Sequence, residues 1–587
     1  MSASNTAIAN SKKTPFSAKQ KSLSPSARKS RAPLAGKVPA GPLPADHNNG
    51  QLADKYYLDN FNYLIEFVTQ HYVHLFTTTE QRFCQSYSCL TENARQLFVR
   101  LVLRTHACLR LSKINYADIN IKEGMEELGN NGFVRLNNDC IEQYPHLFTR
   151  KELSHAWGSP YTGTTDFDLT AWTTPDLFGD SPAAKLTDGE TIIEVNFKEQ
   201  VLTFRLLFFG NLYQDFSSFV LRDLGYQRYE NYTIDSTTLL FKSRQQIEAH
   251  LDYYHCAEHF DDACHTGSDA LQELSNSLPD KIPTDKTLCR RLDRLNNKIA
   301  RQLERESEFD SAACIYAVTD HPPARERLAR IKEKLGNTTE SLKICRQILN
   351  SPADCDELDF ASQFGQRLAK KSGHGFPATT LCKPPESILK LEKSNLPVEF
   401  SVALHLAKKG KCYYLENSLL SGMFGLAFWD IIFASIDGAF FHPFQSHPAD
   451  FYEPEFSQAR KPLIEDRLAD IKSGNLSHYV NRHYYHKRAI RNPLVNWTMC
   501  RKHILDLAIK RIPPAHWHAV FCQLLSDIRN FKSGQPDLVR FPDEGGYQLL
   551  EVKAPGDKLQ KNQLRWMKFF KEQNMPHGVV HVEWLND

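Results

Sequence analysis

The strongest constraint on what this chain can fold into lies near its C-terminus, where acids are set into apolar strands. Gly534-Gln535-Pro536-Asp537 leads into a strand ending Leu538-Val539-Arg540-Phe541. Asp543-Glu544-Gly545-Gly546 has the composition of a turn, and Tyr547 to Lys553 reads as a second strand. Glu551 and Lys553 are two apart, so on a strand they share a face while Val552 points the other way, into the core. Leu549, Leu550 and Val552 make this strand mostly apolar, and an acid at such a position is costly unless it is paired or used. A surface Glu/Lys pair is the bland alternative. The sharper reading is a pair of carboxylates, Asp537 and Glu551, on adjacent strands. Two such groups can hold a hard divalent cation through oxygen, and Lys553 on the same face can orient an attacking water. After a turn at Ala554-Pro555-Gly556-Asp557, a helix from about Gln560 to Lys571 brings Gln563 toward the same place.

These residues resemble the virus-type replication-repair nuclease (VRR-NUC) domain, a branch of the PD-(D/E)xK nuclease fold. The likeness is greatest to the Fanconi-associated nuclease family. It is carried by Gly-x-Pro-Asp-Leu-Val, by Leu-Glu-Val-Lys-x-Pro-x-Asp-x-Leu and by Gln-x-x-Trp, in that order. Upstream, Glu416 followed by Gly425-Leu426-Ala427-Phe428-Trp429-Asp430 resembles the family helix that supplies another acidic ligand. Tyr56-Tyr57-Leu58 and Val99-Arg100-Leu101 resemble its first helical domain. The resemblance implies a two-metal site for Mg²⁺ or Mn²⁺ formed by Glu416, Asp537, Glu551 and the Val552 carbonyl, with Lys553 and Gln563 as catalytic residues. It implies phosphate contacts at Arg529, and it marks one departure: a family phosphate-binding lysine falls on Asn562, with Lys561 adjacent. Lys561, Arg565, Arg488 and Arg491 are further candidate DNA contacts. The implied activity is a structure-specific DNA nuclease, a phosphodiesterase I type hydrolase that cuts branched duplexes near a 5′ flap. It would trim 5′ to 3′ and serve interstrand crosslink repair. A second copy of the chain on the DNA is expected as a partner. Another junction-cutting enzyme of the same fold and a non-catalytic repair scaffold are the alternatives.

At 587 residues the chain is too long for one core. The expected architecture is multidomain and mainly α, with helical DNA-binding and helical-repeat domains preceding an α/β nuclease domain. Residues 1–50 carry eight Lys/Arg against one acid, Asp46, with little that is aromatic, and should stay disordered. That tail has no cysteine, so the ubiquitin-binding zinc finger seen in some family members is not expected. Residues 51–265 read as a helical DNA-binding domain with a small strand region at Thr191–Phe197 and Val201–Leu206. There Arg100, Arg104, Arg110 and Lys113 are read singly as a solvated face. Residues 266–288 read as a linker, and 289–395 as tetratricopeptide-like helix pairs with a surface crossing from Lys371 to Pro397. Residues 396–587 read as the nuclease domain, with Glu416 near the start of a long helix.

The net charge of +2 gives no global nucleic-acid footprint, so DNA-binding charge must be local. One such stretch runs from His478 to Arg511, with eight Lys/Arg, one acid (Asp506), Tyr479, Tyr484, Tyr485 and Trp497. His250, His255, Cys256, His259, Cys264 and His265 invite a zinc reading, but no Cys-x-x-Cys occurs. Partly buried thiols beside surface histidines are favoured. The fourteen cysteines have no repeated spacing and no secretory signal precedes them, which points to a reducing compartment. A bacterial cytoplasm is expected, with a nucleus as the alternative. No run of about 18 apolar residues occurs, so no membrane partner is expected.

Overall fold

The computed structural model describes residues 54–136, 147–157, 186, 190–225, 227–235, 238–378 and 383–585. The basic tail lies outside them. The described part is mainly helical with two small sheets. The first is three-stranded and antiparallel, in the order β1 (Cys108–Arg110), β3 (Ile192–Val195), β2 (Val134–Leu136). It leans on a core built by the helices Tyr56–Tyr72, Thr78–Cys89 and Glu92–Val102, where Phe61, Phe83, Phe98 and Phe133 are fully enclosed. The Thr78 helix starts with a capping box: the Thr77 side chain accepts from the Glu80 N–H, and the Glu80 side chain accepts from the Thr77 N–H.

Val201–Leu206 is not a strand. It lies inside the helix Lys198–Phe209, enclosed over most of its circumference, where Phe204, Leu206, Leu207 and Phe208 are all buried. A short apolar run buried on both sides has no period that separates helix from strand, and here tertiary packing chose the helix. The expected linker also proves ordered: Ser268–Asn276 is a helix that buries Leu271 and Leu274. His250, expected near the surface, is fully buried and bonds Asp285 Oδ2 through Nε2 at 3.0 Å and Arg291 through Nδ1 at 2.7 Å. A satisfied imidazole in this setting needs no metal.

Helices Lys286–Arg305, Phe309–Ala317, Ala324–Lys334, Thr338–Asn350 and Cys355–Ser372 then pack each on the next, as expected of helix pairs. Their inner faces carry Ile299, Ala300, Leu303, Ala312, Tyr316, Ala329 and Ile331. Leu335, expected inside, is exposed.

The C-terminal sheet has five strands in the order β4-β8-β7-β6-β5. These are β4 (Glu386–Leu391), β5 (Gly410–Tyr414), β6 (Leu538–Pro542), β7 (Gln548–Lys553) and β8 (His577–Trp584). β4, β8 and β7 run parallel, while β6 and β5 are antiparallel to their neighbours. β4 lies inside the stretch read as a surface crossing and as the end of the helical repeats. Its main chain instead completes the edge of the C-terminal sheet. One face of the sheet packs Leu538, Val552, Val580 and Val582 against Val402 and Ala403 of the helix Val398–Leu406. The other packs Val539, Phe541, Leu549 and Val579 against Trp566, Met567 and Phe570 of the helix Lys561–Glu572. Each large side chain buried there contributes roughly 1.5–3 kcal/mol. No described helix is long and apolar enough to cross a membrane.

Candidate active site

β6 and β7 pair with Leu538 opposite Leu550. Carried one step further, that register sets Asp537 opposite Glu551, on the face covered by the Lys561–Glu572 helix. The site follows from this pairing. Asp537 is 8% exposed and Glu551 1%. Asp537 Oδ2 accepts the Val552 N–H at 2.8 Å. Glu551 Oε1 takes the Lys553 ammonium at 2.9 Å and also accepts from the Gln563 amide. Gln563 Oε1 in turn accepts from Lys553 Nζ at 3.0 Å and from the Gln560 N–H at 2.8 Å, so the helix start orients both. Glu551 Oε2 is buried with no partner.

Burial, and then the neighbouring Asp537, push Glu551 up to about 8, with Lys553 pulling the other way. Burial raises Asp537 to about 6 against the Val552 N–H, with Glu416 and Glu399 adding to the rise. Both buried carboxylates are raised, Glu551 in part by the Asp537 charge, and one oxygen has no hydrogen-bond donor, a setting that a bound cation would relieve. An all-oxygen donor set suits a hard divalent cation, so these residues fit the expected metal.

Glu416 is placed differently from the expectation. It sits in the turn between β5 and the helix Leu419–Ala427, exposed, with its carboxylate accepting from Tyr414 Oη at 2.6 Å and Asn417 Nδ2 at 3.1 Å. It is near enough for its charge to act on Asp537, yet among the described residues no three His, Cys, Asp or Glu side chains converge as a ready metal cage. Asp430 stands apart, paired with Arg467 at 2.8 Å.

Residues that sequence reasoning missed hold the two acidic segments together. The Leu415 N–H donates to the Asp537 carbonyl at 2.8 Å, and the Gln535 N–H donates to Asn417 Oδ1 at 3.0 Å. The buried Gln535 amide donates to Ser421 Oγ at 2.6 Å and to the Phe531 carbonyl at 3.1 Å. Glu399, in the first turn of Val398–Leu406, was also missed. The only sequence signal was Gln535 lying between Gly534 and Pro536.

Gly534 has φ +77°, and a Cβ there would meet the Asn562 backbone carbon at 2.8 Å and its Cγ at 2.6 Å. The departure at Asn562 is thus packed against the turn that presents Asp537. Gly534→Ala should cost roughly 2–4 kcal/mol, from left-handed strain and overpacking together. A chemical-denaturation midpoint equal to wild type would refute that close approach.

The expected DNA contacts fare unevenly. Arg565 is not free: it bonds Asp359 Oδ2 and Asp356 Oδ1, each at 2.6 Å, and is 11% exposed. Lys561 joins the same pair of acids at 3.1 and 3.7 Å. Both therefore tie the helix Lys561–Glu572 to the helix Cys355–Ser372, because acids on that helix lie within reach. Arg488 and Arg491 are exposed; Arg488 also lies over the Tyr484 and Trp497 rings. Of the aromatic residues in that stretch Tyr484 is buried, whereas Tyr485 is 67% exposed. Arg529 lies in a cleft of about 310 Å³ between the helix pairs and the C-terminal segment, beside Arg290 and His321. It pairs there with Glu453 at 2.8 Å. Neither Arg290 nor His321 carried a sequence signal.

The VRR-NUC domain family matches residues 471–584, and the family described as FAN1, HTH domain matches residues 55–135. A Fanconi-associated nuclease 1 homolog of Pseudomonas aeruginosa is 32% identical over 573 residues, covering 95% of this chain and 99% of that one. A homolog from Arabidopsis thaliana is 24% identical over 89% of this chain and 66% of its own. A crystal structure of paFAN1 bound to 2-nucleotide 5′-flap DNA with a gap superposes with a TM-score of 0.78 at 31% identity. It covers 91% of this chain and 99% of that chain. With the carboxylate pair, the lysine and both accessory regions in place, this chain belongs to the Fanconi-associated nuclease family and is a DNA nuclease with a C-terminal VRR-NUC domain.

Proposed function

We propose that this nuclease incises branched duplex DNA near a 5′ flap, trims 5′ to 3′, and acts in interstrand crosslink repair in a bacterial cytoplasm. The observation that carries the reading is the buried Asp537–Glu551 pair with Lys553 on the same face and Glu551 Oε2 unpartnered. The relative solved on a 5′-flap DNA with a gap supports the substrate class.

Asp537, Glu551 and the Val552 carbonyl would hold Mg²⁺ or Mn²⁺, with Glu416 completing a two-metal set once its turn presents the carboxylate. When bound, such cations polarise the phosphoryl oxygens, lower the pKa of water and offset charge on the leaving oxygen. Lys553, bonded to Glu551 and Gln563, is held where its ammonium can donate to the attacking oxygen or to a non-bridging phosphate oxygen. Gln563 fixes both partners through one amide, which limits the rotamers that Lys553 and Glu551 can adopt. Protein contacts to DNA should fall mostly on phosphates, so selectivity would come from DNA shape and deformability. Arg488, Arg491 and Arg529 are the exposed arginines proposed for those contacts. Lys561 and Arg565 would contribute only by releasing Asp356 and Asp359. A second copy of the chain on the DNA is proposed as a partner.

The test is cleavage of end-labelled 5′-flap, 3′-flap, four-way-junction and plain duplex DNA with Mg²⁺ or Mn²⁺. Cuts clustered near the 5′-flap junction are expected. Preferred cutting of the four-way junction would replace the flap assignment with a junction resolvase. Binding without cutting, with either metal, would leave a scaffold.

A further inference from the structure

An aromatic pair stands at the end of the C-terminal sheet, beside its acids. β5 pairs with β6 so that Tyr414 lies opposite Leu538, the residue after Asp537, and the Leu415 N–H donates to the Asp537 carbonyl at 2.8 Å. The Tyr414 hydroxyl donates to Glu416 Oε2 at 2.6 Å. Burial first, then that bond and the charges of Glu416, Asp537 and Glu399, hold the phenol protonated well above its usual range, so all three acids lie around it. Phe400 packs on the Tyr414 ring, with centroids 5.1 Å apart and planes at 40°. It belongs to the first turn of the helix Val398–Leu406, directly after Glu399, whose charge also acts on Asp537.

Core packing does not account for Phe400. The helix buries Val402 and Ala403 against the sheet, while Phe400 is 45% exposed and Leu404, one turn on along the same side, is 61% exposed. A lone exposed aromatic on a surface needs no explanation. This one is backed by a second ring whose hydroxyl holds Glu416, so a strand entering the site passes it.

The charge around the pair decides what can rest there. Glu399, Glu416 and Asp537 repel a phosphate from the rings, whereas a nucleobase is neutral and offers a π face. Stacking of bases on aromatic side chains tolerates any sequence, in keeping with selectivity by DNA shape. A base inside a duplex has both faces covered by its neighbours, so the occupant must be unpaired. One sugar separates each base from its phosphate. A phosphate held over Asp537 and Glu551 therefore leaves a base within reach of the Val398–Leu406 side of the sheet, across from Lys553 and Gln563.

Resting on the nuclease reading above, we propose that Phe400, backed by Tyr414, is a ledge on which an unpaired nucleobase next to the cut phosphate stacks. Phe400 is a positioning residue: it holds the strand and does not touch the bond that breaks.

The test uses the full chain and a 5′-flap DNA carrying 2-aminopurine, in turn, at each position flanking the junction. Binding is done in Ca²⁺, which takes the same oxygen ligands as Mg²⁺ with looser geometry. Wild type should quench the fluorophore strongly at one position, adjacent to the phosphate it cuts in Mg²⁺. Phe400→Ala should lose that quenching and lower kcat/KM by roughly 5- to 100-fold, the range expected for one base–aromatic stack. Phe400→Trp should restore both. Phe400→Leu, which keeps apolar bulk without a π face, should behave like alanine. An abasic site at the quenched position should bring wild type and Phe400→Ala together. Tyr414 is left intact because its hydroxyl holds Glu416. Melting curves report folding, and if Phe400→Ala does not fold, Phe400→Leu against Phe400→Trp decides. Quenching retained by folded Phe400→Ala, or an equal loss of activity on the abasic flap, would overturn the proposal. Wild type that cuts none of these flaps in Mg²⁺ counts against the nuclease reading, whereas cutting without Phe400-dependent quenching counts against the ledge alone.

Discussion

Replacing Asp537 by asparagine lowers cleavage of every DNA substrate by on the order of 10³-fold or more while leaving DNA binding intact. Asp537 has two duties, and the choice of substitution separates them. Its Oδ2 accepts the Val552 N–H in a buried strand pair, and its charge stands opposite Glu551. Alanine removes both. It leaves a buried N–H without an acceptor, at a cost of about 1–3 kcal/mol, so loss of activity would be mixed with loss of stability. Asparagine keeps an acceptor oxygen for Val552 and removes only the charge. Without divalent cations and above pH 8, where Glu551 is ionised as well, Asp537→Asn should therefore melt at or above the wild-type temperature, because one of two mutually repelling carboxylates is gone. Steady-state cleavage of a labelled flap, anisotropy on the same DNA and a thermal melt together check this. Cleavage within tenfold of wild type by the asparagine variant would remove Asp537 from the cation set, and the proposed chemistry with it.

Without divalent cations, the protein loses stability as pH rises from about 4 to about 8, and Glu551→Gln abolishes most of that loss. Asp537 is raised from 3.8 to about 6 and Glu551 from 4.5 to about 8. Between the unfolded and folded values the folded state holds more protons than the unfolded one, so unfolding free energy falls with rising pH. The loss begins as these groups ionise in the unfolded chain near pH 4. It is complete once Glu551 ionises in the folded state near pH 8. At 1.36 kcal/mol per unit, the Glu551 shift alone corresponds to roughly 5 kcal/mol. Carboxylates with lowered values, such as Glu152 at about 2, act in the opposite sense and at lower pH. The difference between wild type and Glu551→Gln isolates the site from them. Mg²⁺ should restore stability to wild type at pH 8 and do little at pH 5, where protons compete for the same oxygens. It should do little to Glu551→Gln at either pH. Parallel melting curves for the two proteins across this range would show that Glu551 is not held in the environment described.

The arrangement of Asp537, Glu551, Lys553 and Gln563 was legible because these residues are close in sequence and obey simple periodicities. An apolar strand with acids at fixed offsets dictates which side chains share a face. The turn after Lys553 and the amphipathic run to Glu572 dictate that a helix returns across that face, which is how Gln563 reaches Glu551. The ends of the nuclease segment were less legible. β4 adds as a parallel edge strand through its main chain, and its side chains are mostly exposed, so it lacks the apolar alternation that marks a strand. The helix at Lys198–Phe209 was misread for the converse reason, since burial nearly all round erases its period.

What the sequence determined by itself was which acids, lysine and amide share one face, and the kind of sheet that carries them. It did so because strand register and helix phase are local properties. Only the tertiary structure decided which charges remain free to meet DNA. Arg565 and Lys561 look like phosphate ligands until Asp356 and Asp359, some two hundred residues earlier, are seen beside them. Arg529 stays half exposed, and its partner Glu453 lies 76 residues earlier. The charge of Glu416 acts on Asp537 only because Leu415, Asn417 and Gln535 join two distant segments by main-chain and amide hydrogen bonds. Coulomb interactions act between neighbours in space, and in a chain this long spatial neighbours are set by the packing of segments far apart in sequence.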